Sequence, residues 1–188
     1  LHPDYNPDKA KILAWSNRRV QAYNQHMRKL KNQPELLQKG EYVVTNNPII
    51  EKGSIIPTDS MVFISAMDET EEELWGVMGR WATLDYKVRA FLPNDYKDAK
   101  RLLRAIKKEA QAASGRDQER QRRQLWSRYF EIKDTWLDLR PSYASTVHKA
   151  QGNTFDEVFI DLWDIGSCNL PMDVARMLYV AISRARHR

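Results

Sequence analysis

The chain has 188 residues, of which 42% are hydrophobic, 10% aromatic and 29% charged. This composition excludes a disordered tail, because enough apolar surface is available to offset the entropy lost on folding. The single cysteine, Cys168, excludes an internal disulfide. No segment approaches the run of roughly 20 apolar residues that a membrane span needs. We therefore expect one domain or two small ones, no membrane partner and a cytoplasmic location.

Positive charge is concentrated in one part of the sequence. The whole chain has 30 Lys and Arg against 25 Asp and Glu, a formal net charge of +5, but residues 99–133 hold eleven of the basic residues and only four of the acidic ones. A local excess of this kind indicates a surface for a polyanion, whereas a solvated helix face is the more common interpretation of a charge run. Both interpretations remain open on charge alone.

The first ninety residues change character near residue 38. An apolar run at 11–15, two polar residues and helical apolar spacing from Val20 to Leu30 predict a strand, a turn and a helix. Residues 38–96 instead contain short apolar segments separated by turn residues, which predicts a small β-barrel.

The next segment predicts a helical hairpin at 97–136. Apolar residues keep helical spacing before and after Ser114-Gly115, which breaks the pattern. Trp126 and Trp136 lie on the apolar faces of this segment, where packing in a core is more common than stacking against a nucleotide base.

The last part returns to an α/β pattern. An apolar run begins at Tyr143, a second strand is predicted at 158–162, and an amphipathic helix extends through Val174, Leu178 and Ile182. We therefore expect an α/β lobe formed by residues 1–37 and 141–188, interrupted by an inserted domain at 38–140.

One polar loop carries the strongest local signal for chemistry, Thr146-Val-His-Lys-Ala-Gln-Gly-Asn-Thr154. Thr146 and His148 supply side-chain donors, Lys149 supplies a positive charge, and the amide of Gly152 has no Cβ to keep an anion away. Such a loop suits phosphate groups. The alternative is an exposed polar loop in which His148 only hydrogen bonds a neighbour.

A second motif gives this loop a context. The segment Thr-Val-His-Lys-Ala-Gln-Gly, followed about thirty residues later by Leu-Tyr-Val-Ala-Ile-Ser-Arg-Ala-Arg186, resembles motifs V and VI of superfamily 1 DNA helicases. Gln151 makes the first motif similar to the 5′→3′ branch of RecD-like and phage Dda-like enzymes. Residues 12–18, with Val20 and Asn24, resemble motif IV.

This resemblance implies an architecture. Residues 1–37 and 141–188 would form a RecA-like second motor lobe, called 2A. Residues 38–140 would form the inserted domain 2B, consisting of an SH3-like β-barrel at 38–96 and the basic helical hairpin at 97–136.

The resemblance also implies roles at an ATP site. Arg184 would be the arginine finger, and Arg18 would be a second γ-phosphate contact, a role that passes to Arg19 if the alignment shifts by one residue. Gln151 and the Gly152 amide would sense the γ-phosphate.

Single-stranded DNA is the implied polymer ligand. Thr146, His148 and Lys149 would contact its sugar-phosphate backbone. Further contacts are expected from basic residues of the hairpin, namely Arg101, Arg104, Lys108 and Arg122.

The sequence contains no Gly-x-x-x-x-Gly-Lys-Ser/Thr motif. The phosphate-binding loop and the ligands of Mg²⁺ would therefore belong to a first motor lobe, and the isolated chain would be inactive. The implied cofactor is ATP with Mg²⁺, and the implied partners are that first lobe and replication or recombination proteins. We expect no metal site in this chain.

Asp161 and Asp164 are expected to cap or solvate a strand end. The alternative function is a non-catalytic module that binds nucleic acid or docks a protein.

Overall fold

The computed structural model describes residues 9–51, 54–85, 88–113 and 118–186. The described residues of Leu1–Leu37 and Pro141–Arg188 form one compact unit, and those of Gln38–Arg140 form a second. We call these the outer unit and the inner unit. No helix in the described ranges has both the length and the apolar character needed to cross a membrane.

Strands and helices alternate in the outer unit, whereas strands precede a pair of helices in the inner unit. In chain order the elements are β1 (Ala10–Ala14), α1 (Asn17–Leu30), β2 (Tyr42–Thr45), β3 (Ile49–Glu51), β4 (Ser54–Ile56), β5 (Met61–Met67), β6 (Glu72–Leu74), β7 (Val77–Leu84), β8 (Arg89–Pro93), α2 (Tyr96–Ala112), α3 (Glu119–Thr135), β9 (Leu139–Pro141), β10 (Ala144–Thr146), β11 (Glu157–Ile160), α4 (Leu162–Gly166) and α5 (Pro171–Ile182).

The outer unit is built on a three-stranded parallel sheet in the order β10-β1-β11. Every residue of β1 is buried, as expected for a central strand covered on both faces. Ile12 packs in an apolar cluster with residues of α1, and Leu13, on the opposite face, packs with residues of α4 and α5. The unit therefore has three layers, with helices on both sides of the sheet.

Helix α1 is fixed at both ends of its contact with the sheet. The Ser16 hydroxyl caps it by accepting a hydrogen bond from the Arg19 amide at 3.3 Å. About two turns further on, the buried Asn24 side chain accepts a hydrogen bond from the Ala144 amide of β10 at 2.9 Å. These contacts set the direction of the first helical turn, which carries Arg18.

The inner unit contains a sheet in the order β6-β7-β5-β2-β9, with β8 also paired to β7. Strands β7 and β8 pair antiparallel over five residues. They pack closely at Gly79, where a Cβ atom would lie 2.7 Å from two ring atoms of Phe91. Phe91 is fully buried in the core of this unit.

The SH3-like barrel predicted for 38–96 is not shown, because the described strands do not close into a barrel. Between β8 and the residues before β9 there is one bridge, Phe91 to Trp136, beside a 2.8 Å hydrogen bond from the Leu137 amide to the Phe91 carbonyl. Helix α3 extends to Thr135 and leaves too few extended residues for a full ladder with β8. The coarser expectation of a mixed α/β fold is confirmed.

Helices α2 and α3 pack against each other and against the sheet of the inner unit. Asp95 caps α2 by accepting a hydrogen bond from the Lys97 amide at 2.7 Å. Ala99 and Ile106 of α2 and Ile132 of α3 are buried in one cluster with Val77 and Phe91. The opposite faces of both helices are exposed and carry the basic residues of this segment.

Candidate functional site

The loop that follows β10 folds back on itself as a hydrogen-bonded turn. The Ala150 amide donates to the Thr146 carbonyl at 3.0 Å, and the Lys149 amide donates to the Thr146 hydroxyl at 3.3 Å. The Val147 amide donates to the carbonyl of Ala14 at the end of β1. Thr146 is only 6% exposed, so its side chain supports the loop from inside.

Apart from the buried Thr146, whose predicted contact with DNA the structure does not leave exposed, the predicted ligand-binding groups of this loop lie at the surface. His148, Gln151 and Gly152 are exposed, and Lys149 is half-buried. Gly152 has a φ of +90°, which a residue with a side chain rarely adopts, and the space around its missing Cβ is open. The imidazole of His148 makes no hydrogen bond with the residues that the structure describes.

The structure brings Arg184 into direct contact with this loop. Its Nη1 donates to the carbonyl of Asn153 at 3.2 Å, and its Nη2 donates to the hydroxyl of Ser183 at 2.8 Å. Its Nε lies 3.2 Å from the carbonyl of Val180 in α5. The guanidinium is therefore held between the C-terminal end of α5 and the residue that follows Gly152.

Backbone hydrogen bonds join the same two segments. The Phe155 amide donates to the Arg184 carbonyl at 2.9 Å, and the Arg186 amide donates to the Phe155 carbonyl at 2.8 Å. The side chain of Arg186 reaches Asp156, with Nη1 and Oδ1 3.4 Å apart. Residues 153–156 and 184–186 are thus one paired structure, in which Arg184 has a fixed position.

The chemistry around Arg184 fits a phosphate group. A guanidinium has five N–H donors, and the hydrogen bonds to described residues use the Nε–H, one N–H of Nη1 and one N–H of Nη2. One donor on each terminal nitrogen is left, which is the arrangement that binds an anion in two places. Within the described ranges, no three His, Cys, Asp or Glu side chains are grouped so that they could hold a metal ion.

Arg18 lies elsewhere on the sheet. It follows the carboxyl end of β1, is exposed, and makes no side-chain contact with the described residues. Arg184 pairs with Phe155, which precedes the amino end of β11. The two arginines therefore lie toward opposite ends of the parallel strands, and the four residues of β11 span about 13 Å at about 3.3 Å per residue. The structure does not bring the two side chains into contact.

Arg19, the neighbour of Arg18, is part of an ion pair. Its Nε donates to Oδ2 of Asp161 at 2.6 Å, and the hydroxyl of Tyr23 donates to the same oxygen at 2.8 Å. Burial alone would raise the pKa of Asp161, but the hydrogen bonds from Arg19, the Asp164 amide and Tyr23 outweigh it and lower this pKa. The hydrogen bond to Asp161 also raises the pKa of Arg19.

Asp161 and Asp164 both support the end of the sheet, as the sequence indicated. Asp161 caps α4 by accepting a hydrogen bond from the Asp164 amide at 3.0 Å. The carboxylate of Asp164 accepts hydrogen bonds from the amides of Trp15 and Ser16, each at 2.7 Å, and from the Ser16 hydroxyl at 2.8 Å. These contacts hold the turn between β1 and α1.

Sequence reasoning did not find two residues that position the guanidinium. Asn153 presents its carbonyl to Arg184, and Ser183 presents its hydroxyl. In the sequence, the one indication of this role is that Asn153 directly follows Gly152 and Ser183 directly precedes Arg184. The contact between the two motifs depends on how the chain folds.

The basic residues predicted to bind DNA on the hairpin are all exposed. Arg101 forms an ion pair with Asp98 at 2.8 Å within α2, with both side chains more than half exposed. Arg104 and Lys108 of α2 and Arg122 of α3 make no ion pair with the described residues. Since a surface pair of this kind contributes little, all four charges are available to a ligand.

The polar loop and Arg184 both lie in the part of the chain that matches a known family. A model of the UvrD-like helicase C-terminal domain matches residues 141–188, about a quarter of the chain. No curated protein matches the chain. The family match supports a C-terminal region of a superfamily 1 helicase.

Proposed function

We propose that this chain is the C-terminal part of an ATP-dependent DNA helicase that moves along single-stranded DNA in the 5′→3′ direction and unwinds duplex. The outer unit corresponds to the RecA-like lobe 2A and the inner unit to the inserted domain 2B. In this proposal a first motor lobe supplies the phosphate-binding loop and the ligands of Mg²⁺, because the sequence lacks a Walker A motif.

The contact between Arg184 and Asn153 carries this proposal. This 3.2 Å hydrogen bond joins the segment similar to motif VI to the segment similar to motif V. Gln151 and Gly152, the residues proposed to sense the γ-phosphate, directly precede Asn153. A phosphate bound between them would meet a fixed guanidinium, an exposed amide and a polar side chain from two segments that are already joined.

Arg184 would act on the charge of the transferring phosphoryl group. Negative charge spreads over the equatorial oxygens in the transition state, and a guanidinium held in place neutralises it without reorganisation. Lysine would be a poor substitute, because a single ammonium group cannot bind two oxygens and also hold Asn153 and Ser183.

The same loop offers a route between ATP and DNA. It begins at Thr146, at the carboxyl end of β10, and reaches Arg184 near the amino end of β11. We assign His148 and Lys149 to the DNA backbone, with Thr146 at the start of the turn that carries them. A shift of the loop on hydrolysis would then move the DNA contacts, because both sets of residues lie on one hydrogen-bonded segment.

Arg18 remains in this proposal as a second γ-phosphate contact. Its side chain is exposed and makes no contact with the described residues, whereas Arg19 is bound to Asp161. This difference supports Arg18 over Arg19. Arg18 and Arg184 lie toward opposite ends of the parallel strands, so each residue needs a separate test.

The deciding experiment is Arg184→Ala in the complete enzyme, consisting of this chain with its first motor lobe. We expect kcat for DNA-stimulated ATP hydrolysis to fall at least about 10³-fold, the scale found for arginine fingers. The affinity for single-stranded DNA without nucleotide should persist, because the guanidinium acts on charge that develops in the transition state. Arg184→Lys should restore little of the lost rate.

Arg186→Ala is the matched control. Arg186 lies two residues away, is exposed and contacts Asp156 at the surface, and it has no assigned role. Its replacement should leave kcat within a few-fold of the wild-type value. If the two alanine variants have the same kcat, Arg184 is not the finger.

Direction of movement is tested on DNA that carries streptavidin at one end. An enzyme that moves 5′→3′ displaces streptavidin from a 3′ end and leaves it on a 5′ end. The reverse pattern would contradict the assignment to the 5′→3′ branch while leaving the proposed helicase function intact.

A further inference from the structure

An open cleft lies between helices α2 and α3, toward the C-terminal end of α2 and the N-terminal half of α3. Its volume is about 480 Å³, and it is lined by Ala110 and Gln111 of α2 and by Arg122, Arg123 and Trp126 of α3. Ala110 is buried and forms the floor, whereas Gln111 and both arginines are exposed. The cleft thus combines a small apolar floor, one indole ring and two guanidinium groups.

Trp126 belongs to an aromatic group on α3 that opens to solvent. Its ring is stacked on that of Phe130, with centroids 5.8 Å apart and an interplanar angle of 27°. Tyr129 contacts both rings edge-on, at 5.5 Å and 5.3 Å. Phe130 is 49% exposed, so part of the stack faces solvent.

This environment differs from that of a core tryptophan. Trp136, the residue that follows α3, is 5% exposed and packs among the buried residues of the inner unit. Trp126 is half-buried and lies outside that cluster. The sequence-based expectation of core packing holds for Trp136 and is wrong for Trp126, whose indole lines a cleft instead.

The charge around the cleft indicates the kind of ligand. Among the residues that the structure describes, Arg122 makes no ion pair, and Arg123 forms one, with the exposed Glu119 at 2.6 Å. Lys107 and Lys108 are exposed near the end of α2. A ligand with flat apolar groups separated by negative charges would meet both the aromatic stack and the basic rim.

We propose that this cleft is a base-stacking site for single-stranded DNA, in which an unpaired base lies against Trp126 and the adjacent phosphates contact Arg122 and Arg123. Single-stranded nucleic acid alternates planar bases with phosphates, and aromatic rings beside basic side chains are the usual means of binding it without sequence preference. An acidic protein segment would satisfy the charges but would leave the aromatic stack without a planar partner. This inference rests on the proposed function, in which the chain binds DNA.

Fluorescence anisotropy with the full 188-residue chain tests the proposal on two probes. One is a fluorescein-labelled dT16 strand, and the other is a 16-mer of abasic sites with the same number of phosphates. The wild-type chain should bind dT16 at least about fivefold more tightly, the lower end of what one stacked base contributes.

Two substitutions of Trp126 separate stacking from folding. Trp126→Leu keeps apolar volume but removes the flat ring, and it should weaken binding to dT16 at least about fivefold without changing binding to the abasic strand. Trp126→Phe keeps a stacking ring and should stay within about threefold of wild type. Trp163→Leu is the matched control, because Trp163 is 87% exposed in the outer unit and should affect neither probe.

The salt dependence of DNA affinity distinguishes the contribution of the aromatic rings from that of the arginines. Arg122→Gln should reduce the slope of log affinity against log salt by about 0.7, the value for one phosphate contact on a single strand. Trp126→Leu should lower affinity with no change in slope.

Each contrary result has a distinct meaning. If the wild-type chain binds neither probe, the proposed function fails together with this inference. If it binds dT16 and Trp126→Leu binds equally well, the stacking site is wrong while DNA binding stands, and an acidic protein segment becomes the better occupant. An equal loss on both probes would also overturn the proposal, because it would show that Trp126 acts through the fold of the hairpin.

Discussion

Nε of Arg19 lies 2.6 Å from Oδ2 of Asp161, a residue 142 positions later in the chain. The ion pair ties the first turn of α1 to the end of β11, with Asp161 almost fully buried and Arg19 half-exposed. The preceding residue, Arg18, is left facing solvent. The two adjacent arginines therefore differ, because Arg19 is held in an ion pair and Arg18 is exposed.

Asp161→Asn is expected to make the outer unit less stable at pH 7. The charged acceptor of Arg19 and Tyr23 is lost, which we expect to cost about 1–2 kcal/mol of unfolding free energy, the scale of hydrogen bonds to a charged group. The pKa of Asp161 is lower in the folded protein than the value of about 3.9 in an unfolded chain. The wild-type advantage is therefore fully present above about pH 5 and is lost as the pH falls through the folded pKa.

Urea unfolding at pH 7, 5, 4 and 3.5 checks this prediction. The gap between wild type and Asp161→Asn should shrink from pH 5 downward. Asp173→Asn is the control, since Asp173 pairs with Arg176 at 3.5 Å at the surface and should have little effect at any pH. If the difference in unfolding free energy is the same at every pH, Asp161→Asn lowers stability for a reason other than loss of the ion pair with Arg19.

Arg18 and Arg19 should respond oppositely to alanine. Arg19→Ala removes the partner of a buried carboxylate and should lower the Tm of the chain. Arg18→Ala should leave the Tm unchanged, since an exposed side chain without described partners has no part in the fold. It should reduce ATP hydrolysis in the complete enzyme, because Arg18 is the proposed second γ-phosphate contact. Differential scanning fluorimetry and steady-state hydrolysis measure the two effects. Normal hydrolysis by Arg18→Ala would restrict the γ-phosphate contact to Arg184.

The sequence predicted most elements of the outer unit, though not α4, because their signals are local. The strand expected near 11–15, the helix after it and the amphipathic helix through Val174, Leu178 and Ile182 each follow from spacing over a few residues. The paired structure of residues 153–156 with 184–186 was not predictable in this way, because it depends on contacts about thirty positions apart.

Two features of the inner unit show where a single sequence gives too little information. Short strands were expected in this unit from their pattern, but the β3–β4 pair and the turn between β6 and β7 were not. Closure into a barrel depends on how far α3 extends before β9, and a helix end is poorly determined by sequence. Trp126 has the helical spacing of a core residue. Only the packing of α2 against α3 shows that its ring borders a cleft.

Gly79→Ala should destabilise the inner unit strongly. The new methyl group would lie 2.7 Å from Phe91 ring atoms and closer still to the Leu92 carbonyl, and neither the buried ring nor the paired strand has room to move. We expect a loss of about 1–3 kcal/mol, the usual cost of overpacking. Gly166→Ala is the control, because nothing lies within 4 Å of its added methyl. Thermal unfolding that ranks Gly166→Ala below Gly79→Ala would contradict the close approach of β7 and β8.

The purified 188-residue chain should not hydrolyse ATP. Its sequence has no Walker A motif, so no loop of this chain is expected to wrap the β-phosphate or to place a hydroxyl on Mg²⁺. Mixing the chain with a first motor lobe should produce DNA-dependent hydrolysis, measured as phosphate release with and without dT16. Steady turnover by the chain alone would contradict the division of the site between two lobes.

The basic face of the hairpin should add a salt-sensitive contact to single-stranded DNA. A quadruple Gln variant removes four exposed charges, those of Arg101, Arg104, Lys108 and Arg122. Each phosphate contact contributes about 0.7 to the slope of log affinity against log salt, so several lost contacts should flatten the slope visibly. The measurement is anisotropy of labelled dT16 from low to moderate salt.

A second quadruple variant controls for net charge in this experiment. It changes four exposed basic residues outside the hairpin, Lys29, Lys39, Arg89 and Arg176, to Gln. This control lowers the net charge equally, so it should reduce affinity slightly at low salt through the long-range field while leaving the slope close to that of wild type. The two variants would have the same slope if the hairpin charges never meet DNA. In that case the basic face would be assigned to docking an acidic protein partner, and the remaining DNA contacts would be those of the loop that begins at Thr146.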